Sequence, residues 1–165
     1  MSITYPKEEI EAVRRIFIEE QKTIAVAESV TAGLLQGAFS QATDARLFFQ
    51  GGLTTFNAGQ KCRWLNVDPI HALEHNSVSS KVANQMAEGV AKAFCSHYGI
   101  GVVGYAAAVP EKKIDQPFAW YGIYGDGRLL ETNRIEGGKG DPMKVQLCYV
   151  QSIIAALHRL LISLA

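Results

Sequence analysis

The run Thr23-Ile24-Ala25-Val26-Ala27 is apolar at every position past its first, and it ends in Glu28-Ser29. A strand that alternates polar and apolar residues can face water on one side, but an unbroken apolar run has to be covered on both faces. Thr31, Ala32 and Gly33 then lead into a pattern that predicts a helix over 31–41. A buried strand passing straight into a helix is the beginning of a layered α/β fold.

The remaining segments fit that plan. Pro6 at a first helical position, followed by Lys7, Glu8 and Glu9, opens a helix whose apolar stripe is Ile10, Val13 and Phe17. Residues 47–56 read as a strand interrupted at Gly51-Gly52, where a bulge is expected. A short helical turn is expected at 60–65. Ser79 caps a longer helix with Val82, Met86, Val90, Ala93 and Phe94 on one face, and Gly99 is expected to end it. Strands follow at 100–106 and 118–124, and Asp126-Gly127 turns the second into a hairpin with 128–135. Asp141-Pro142 starts a last helix carrying Val150, Ile153, Ile154, Leu157, Leu161 and Leu164. The expected architecture is one domain over residues 1–165, a three-layer α/β/α sandwich with a mixed, mostly parallel sheet.

Composition removes several classes of function. Sixteen Lys and Arg balance sixteen Asp and Glu, so neither a basic surface for nucleic acid nor a polybasic membrane anchor is expected. No apolar run in the sequence approaches the roughly 20 residues of a membrane span, and the N-terminus lacks the basic and apolar regions of a signal peptide. Cys62, Cys95 and Cys148 are odd in number and without metal or C-x-x-C spacing. A cytoplasmic protein with reduced thiols and no metal is expected.

Ser29 stands at the junction between strand and helix, which leaves two readings open. Serine is a favoured helix cap. The same place, at the positive end of a helix with unpaired N–H groups, also suits a serine whose attack creates an oxyanion. Serine needs a base, and His71, His75, His97 and His158 sit in unrelated contexts with no paired aspartate. A deprotonated lysine can do the same work if it is buried. Lys61, following the strand and turn that end at Asn57, is the candidate. Its neighbour Cys62 lacks the surroundings of an activated thiol. Gly101-Val102-Val103-Gly104 is not a dinucleotide fingerprint, and Arg128 and Arg134 read as an exposed hairpin face.

Ala27-Glu28-Ser29-Val30-Thr31-Ala32-Gly33 resembles the A-E-S-C-T-G-G signature of the CinA C-terminal family, the nicotinamide-nucleotide amidases linked to competence/damage-inducible proteins. The likeness continues through Gly51-Gly52-Leu53-Thr54-Thr55-Phe56-Asn57 to Lys61, and again at Leu65-Asn66-Val67 and Val78-Ser79. It implies a three-layer α/β/α fold and hydrolysis of nicotinamide mononucleotide, or a related small carboxamide, to the acid and ammonia. It implies Ser29 as nucleophile and Lys61 as general base, with backbone N–H groups of Ser29 and Val30 as oxyanion donors. Thr31, Gly33, Phe56, Val103, Gly104 and Tyr105 fall in the matching substrate-binding segments. No cofactor is required, and a homo-oligomer is what the family suggests.

The departures gather at the same places. Phe56 replaces the family's tyrosine. The T-G-x-A-G-P loop has become Val103-Gly104-Tyr105-Ala106-Ala107-Ala108, and Pro142 and Gln146 stand where the family has arginines. Forked arginine contacts are the usual grip on phosphate. A catalytically silent relative that binds a small molecule or a protein through the same crevice therefore stands beside the hydrolase. A structural partner subunit is a third reading.

Overall fold

The computed structural model describes residues 2–165. Five strands, β1 (Ile24–Glu28), β2 (Phe49–Thr54), β3 (Tyr98–Gly104), β4 (Phe118–Gly125) and β5 (Arg128–Glu136), form one sheet in the order β2-β1-β3-β4-β5. β1 is parallel to both β2 and β3, while β3–β4 and β4–β5 are antiparallel. The sheet is mixed as expected, but its pairings divide evenly instead of being mostly parallel. All five residues of β1 are buried.

Among the described residues six α-helices cover the two faces. α1 (Lys7–Glu19), α2 (Leu34–Ser40) and α6 (Pro142–Leu164) share one core with Ile24, Val26, Ile100 and Val102. α3 (Ala58–Leu65), α4 (Pro69–Glu74) and α5 (Ser80–Ala93) share the other with Ala25, Ala27 and Val103. The alternation along β1 thus feeds both layers. The chain winds from β1 through α2 to β2, then crosses back over the other face to β3 on β1's far side. β1 is therefore the point where the strand order reverses, and crevices for ligands form beyond the carboxyl ends of strands at such points.

Local chemistry explains most boundaries. Ser79 and Asp141 cap α5 and α6 as their sequences predict, accepting from the N–H groups of Val82 and Lys144. Gln50 is skipped in the β1–β2 register beside Gly51, whose φ is +116°, so the expected bulge is present. Gly99 does not end α5. It lies inside β3, where a Cβ would collide with the Ala87 carbonyl oxygen, and the left-handed residue after the helix is Cys95. Pro6 is the cap of α1 and not its first residue. α4 was not anticipated, although Asp68-Pro69 repeats the Asp141-Pro142 signal that starts α6. α6 is also apolar and long enough to pass for a membrane span, contrary to the expectation from the apolar runs. Its face from Val145 to Leu161 is packed into the core.

Candidate active site

Ser29, Lys61 and Tyr105 follow the carboxyl ends of β1, β2 and β3, three neighbouring parallel strands, and face one crevice. The crevice encloses about 490 Å³, within the range of small-molecule sites. Lys61 Nζ lies 3.0 Å from Ser29 Oγ and 2.9 Å from the Thr55 carbonyl oxygen. The lysine is only 2% exposed. Its position is set by the first turn of α3, where the Asn57 side chain accepts from the Gln60 N–H at 3.0 Å.

Burial lowers the Lys61 amine from its ordinary 10.5 to about 8, with the neighbouring Cys62 acting in the opposite sense. Taking a cation out of water favours the neutral form, and among the described residues no carboxylate lines the crevice to offset this. A neutral amine has two N–H donors and one lone pair. One donor satisfies Thr55 and the lone pair can accept the Ser29 proton, so the arrangement can make an alkoxide-like nucleophile without histidine.

Ser29 is not a helix cap. The turn 29–33 separates it from α2, and the helix end is taken by the fully buried Glu28 carboxylate. That carboxylate accepts from Thr31 Oγ1 at 2.5 Å and from the N–H groups of Gly33, Leu35 and Gln36 at 3.2, 2.9 and 2.7 Å. A positive helix end thus holds an internal anion, which favours it electrostatically. It does not serve an external ligand. Successive side chains of a strand point to opposite faces, so holding Glu28 on one side directs Ser29 to the other.

The oxyanion donors follow from the same turn. The Ser29 N–H is spent on the Val102 carbonyl at 3.1 Å, extending the β1–β3 ladder, and so cannot serve. The Val30 N–H donates to no protein acceptor among the described residues and adjoins the nucleophile. The Val30 carbonyl is fixed from across the crevice by Gln146 Nε2 at 2.7 Å. One turn along α6, the Tyr149 hydroxyl donates to the Tyr105 carbonyl at 2.9 Å. Residues three apart share a helix face, and this pair ties both walls of the crevice to α6.

Of the residues expected at the site, Ser29, Val30, Phe56, Lys61, Gly104 and Tyr105 line the crevice. Thr31 and Gly33 do not, because both are committed to Glu28. Val103 also lies elsewhere, buried under α5 in the second core. Phe56 is 73% exposed at the rim and leaves the crevice open. Arg134 pairs with Glu136 at 2.7 Å and covers the Phe118 ring, Arg128 lies in a separate hollow near Tyr98, and no arginine among the described residues lines the crevice. Glu28 and Tyr149 escaped the sequence reading. A lone glutamate one residue before a candidate nucleophile was the available signal for the first. Nothing in sequence marks the second. Among the described residues no group of three His, Cys, Asp or Glu side chains could hold a metal ion.

Residues 7–161 match the model of the CinA C-terminal domain. A CinA-like protein of Frankia casuarinae is 29% identical over 150 residues, covering 90% of this chain and 34% of the relative. Protein MG115 of Mycoplasma genitalium is 32% identical over 147 residues, covering 88% of this chain and 92% of that protein. Against several other curated relatives, too, the chain spans about a third or less of their length. The crystal structure of a competence-damaged protein (CinA) superfamily protein from Klebsiella pneumoniae 700603 superposes with a TM-score of 0.88 at 26% identity, covering 95% of this chain and 98% of that one.

Proposed function

The chain belongs to the CinA C-terminal domain family, and we propose that it hydrolyses a small carboxamide, nicotinamide mononucleotide or a related amide, through Ser29 and Lys61. The observation that carries this reading is the 3.0 Å contact between the buried Lys61 amine and the Ser29 hydroxyl.

In this reaction the neutral Lys61 amine takes the proton of Ser29 as Oγ attacks the amide carbon. The developing oxyanion is met by the Val30 N–H, and a single positioned donor of this kind is worth on the order of 10²–10³ in rate. The Lys61 ammonium then returns its proton to the departing nitrogen, and ammonia leaves. The acyl group stays on Ser29 Oγ until water, deprotonated by Lys61, attacks the acyl carbon; the bond to Oγ breaks, Lys61 returns the proton to Oγ, and the acid leaves. At pH 7 an amine titrating near 8 is neutral in roughly a tenth of molecules, enough to act without a further base.

Ammonia release from a panel of carboxamides that includes nicotinamide mononucleotide tests the proposal. The wild type is expected to release ammonia from at least one of them, and Ser29→Ala to lose about 10³-fold or more of that rate. Equal rates for the two proteins would remove the hydrolase. The absence of arginine from the crevice favours one second reading, a binding protein without turnover. Saturable binding of these amides with no ammonia from the wild type would establish that instead.

A further inference from the structure

The segment after β3 folds into a small clip that the assigned chemistry leaves unused. Val109 and Ile114 pair in both directions, with Val109 N–H donating to Ile114 at 2.9 Å and Ile114 N–H to Val109 at 3.1 Å. Between them Pro110–Lys112 make one 3₁₀ turn, closed by the Lys112 N–H on the Val109 carbonyl at 2.9 Å. Pro110 fixes its own φ at the first position of that turn. The clip presents Lys112 to the crevice that holds Ser29.

Charge in that crevice is one-sided. Lys61 and Lys112 are the charged side chains lining it. Lys61 is engaged with Ser29 and Thr55, whereas Lys112 has no carboxylate partner among the described residues. Its one partner is the ring of Tyr105, 6.0 Å away, at the outer limit of a useful cation–π contact. Tyr105 is itself firmly held. Its ring meets Phe118 edge-on at 5.5 Å, its N–H donates to Phe118, and its carbonyl accepts from Tyr149. An anchored aromatic platform thus carries a free ammonium at the edge of a crevice with no negative charge of its own.

We propose that Lys112 selects substrates that carry an anionic group in addition to the amide. This rests on the hydrolase reading for what happens at Ser29, but the charge preference is a property of binding. A lysine is a compact, hydrated point charge on a flexible stem, and it lacks the planar fork with which arginine reads the shape of phosphate. With no arginine in the crevice, selection is by charge and not by shape, so carboxylate and phosphate serve alike.

The test uses amides that differ in the anion, with affinities measured by calorimetry on Ser29→Ala so that turnover does not interfere. Nicotinamide mononucleotide against nicotinamide riboside is the phosphate pair, and succinamate against butyramide is the carboxylate pair. In each pair the anionic member is expected to bind roughly five- to tenfold more tightly, as suits one partly exposed ion pair. Adding Lys112→Met should remove most of that preference, and added salt should weaken it. Lys113→Met, beside it in the clip, should keep the preference. Equal affinities within both pairs, or a preference that survives Lys112→Met, would overturn the proposal. A preference in the phosphate pair alone would overturn selection by charge and point to a phosphate-specific site. Ammonia release by the wild type is measured in parallel. A Lys112-dependent preference without ammonia sinks the hydrolase and leaves this inference standing, and ammonia without the preference does the reverse.

Discussion

The Lys61 amine stands 3.0 Å from the Ser29 hydroxyl although 32 positions separate the two residues. They meet because β1 and β2 are neighbouring parallel strands and each residue follows the carboxyl end of its own. Burial there lowers the amine from 10.5 to about 8, so one arrangement supplies a base and stores a cost in stability.

That cost has a sign and a pH window. Between pH 8 and 10.5 the unfolded chain holds a proton on Lys61 that the folded protein does not. Stability from this group therefore rises with pH through that window, and the full penalty applies below pH 8. A shift of this size corresponds to roughly 3 kcal/mol, against about 1 kcal/mol for each of the two hydrogen bonds the amine makes. Lys61→Met is expected to raise stability at pH 7 by about 1 kcal/mol in urea titrations while abolishing activity. The gain should vanish or reverse by pH 10. A gain that does not change with pH would contradict the assignment.

Glu28 makes a separate prediction. Four donors converge on its fully buried carboxylate. Glu28→Gln keeps one oxygen for Thr31, Gly33 and Leu35 but turns an N–H₂ toward the Gln36 N–H, which can only donate. It also removes the charge that four donors share, and a buried group left unpaired costs about 1–3 kcal/mol. The substitution is expected to destabilise the protein by about 2–4 kcal/mol in urea unfolding. A loss under 0.5 kcal/mol would show that the turn does not depend on this carboxylate.

Ala32 sits in the same turn with φ of +49°, a left-handed conformation that costs an L-residue roughly 1–2 kcal/mol. Glycine adopts it freely but gains freedom in the unfolded chain. Ala32→Gly is expected to stabilise by about 0.5–1 kcal/mol, read as a higher urea midpoint at unchanged slope. The family resemblance puts glycine at this position, so the exposed alanine is a local cost.

Elements with a periodic core face or a polar cap were legible in the sequence. Ser79 and Asp141 announce α5 and α6, and the apolar stripe of α1 is Ile10, Val13 and Phe17. Thr31 and Gly33 look like a helix entry, so the sequence predicts α2 three residues before its start at Leu34. They are instead held by Glu28, a contact that spacing does not encode. Gly99 reads as a helix stop in sequence, but its role is the close approach of β3 to α5, which spacing does not encode. At the site, Ser29 and Lys61 were readable because a motif names them. Gln146 was readable only as a missing arginine, and its tie to the Val30 carbonyl depends on how α6 crosses the end of the sheet.

Titration of Lys61 in the folded protein tests the central claim most directly, and it needs no substrate. The lysine Cε and Nζ resonances, assigned by their loss in Lys61→Met and followed by NMR from pH 6 to 11, are expected to titrate near 8. Ser29→Ala should shift that midpoint, since it removes the hydroxyl 3.0 Å away. A midpoint near 10.5, unchanged by Ser29→Ala, would mean that the amine is an ordinary solvated cation and would contradict the account.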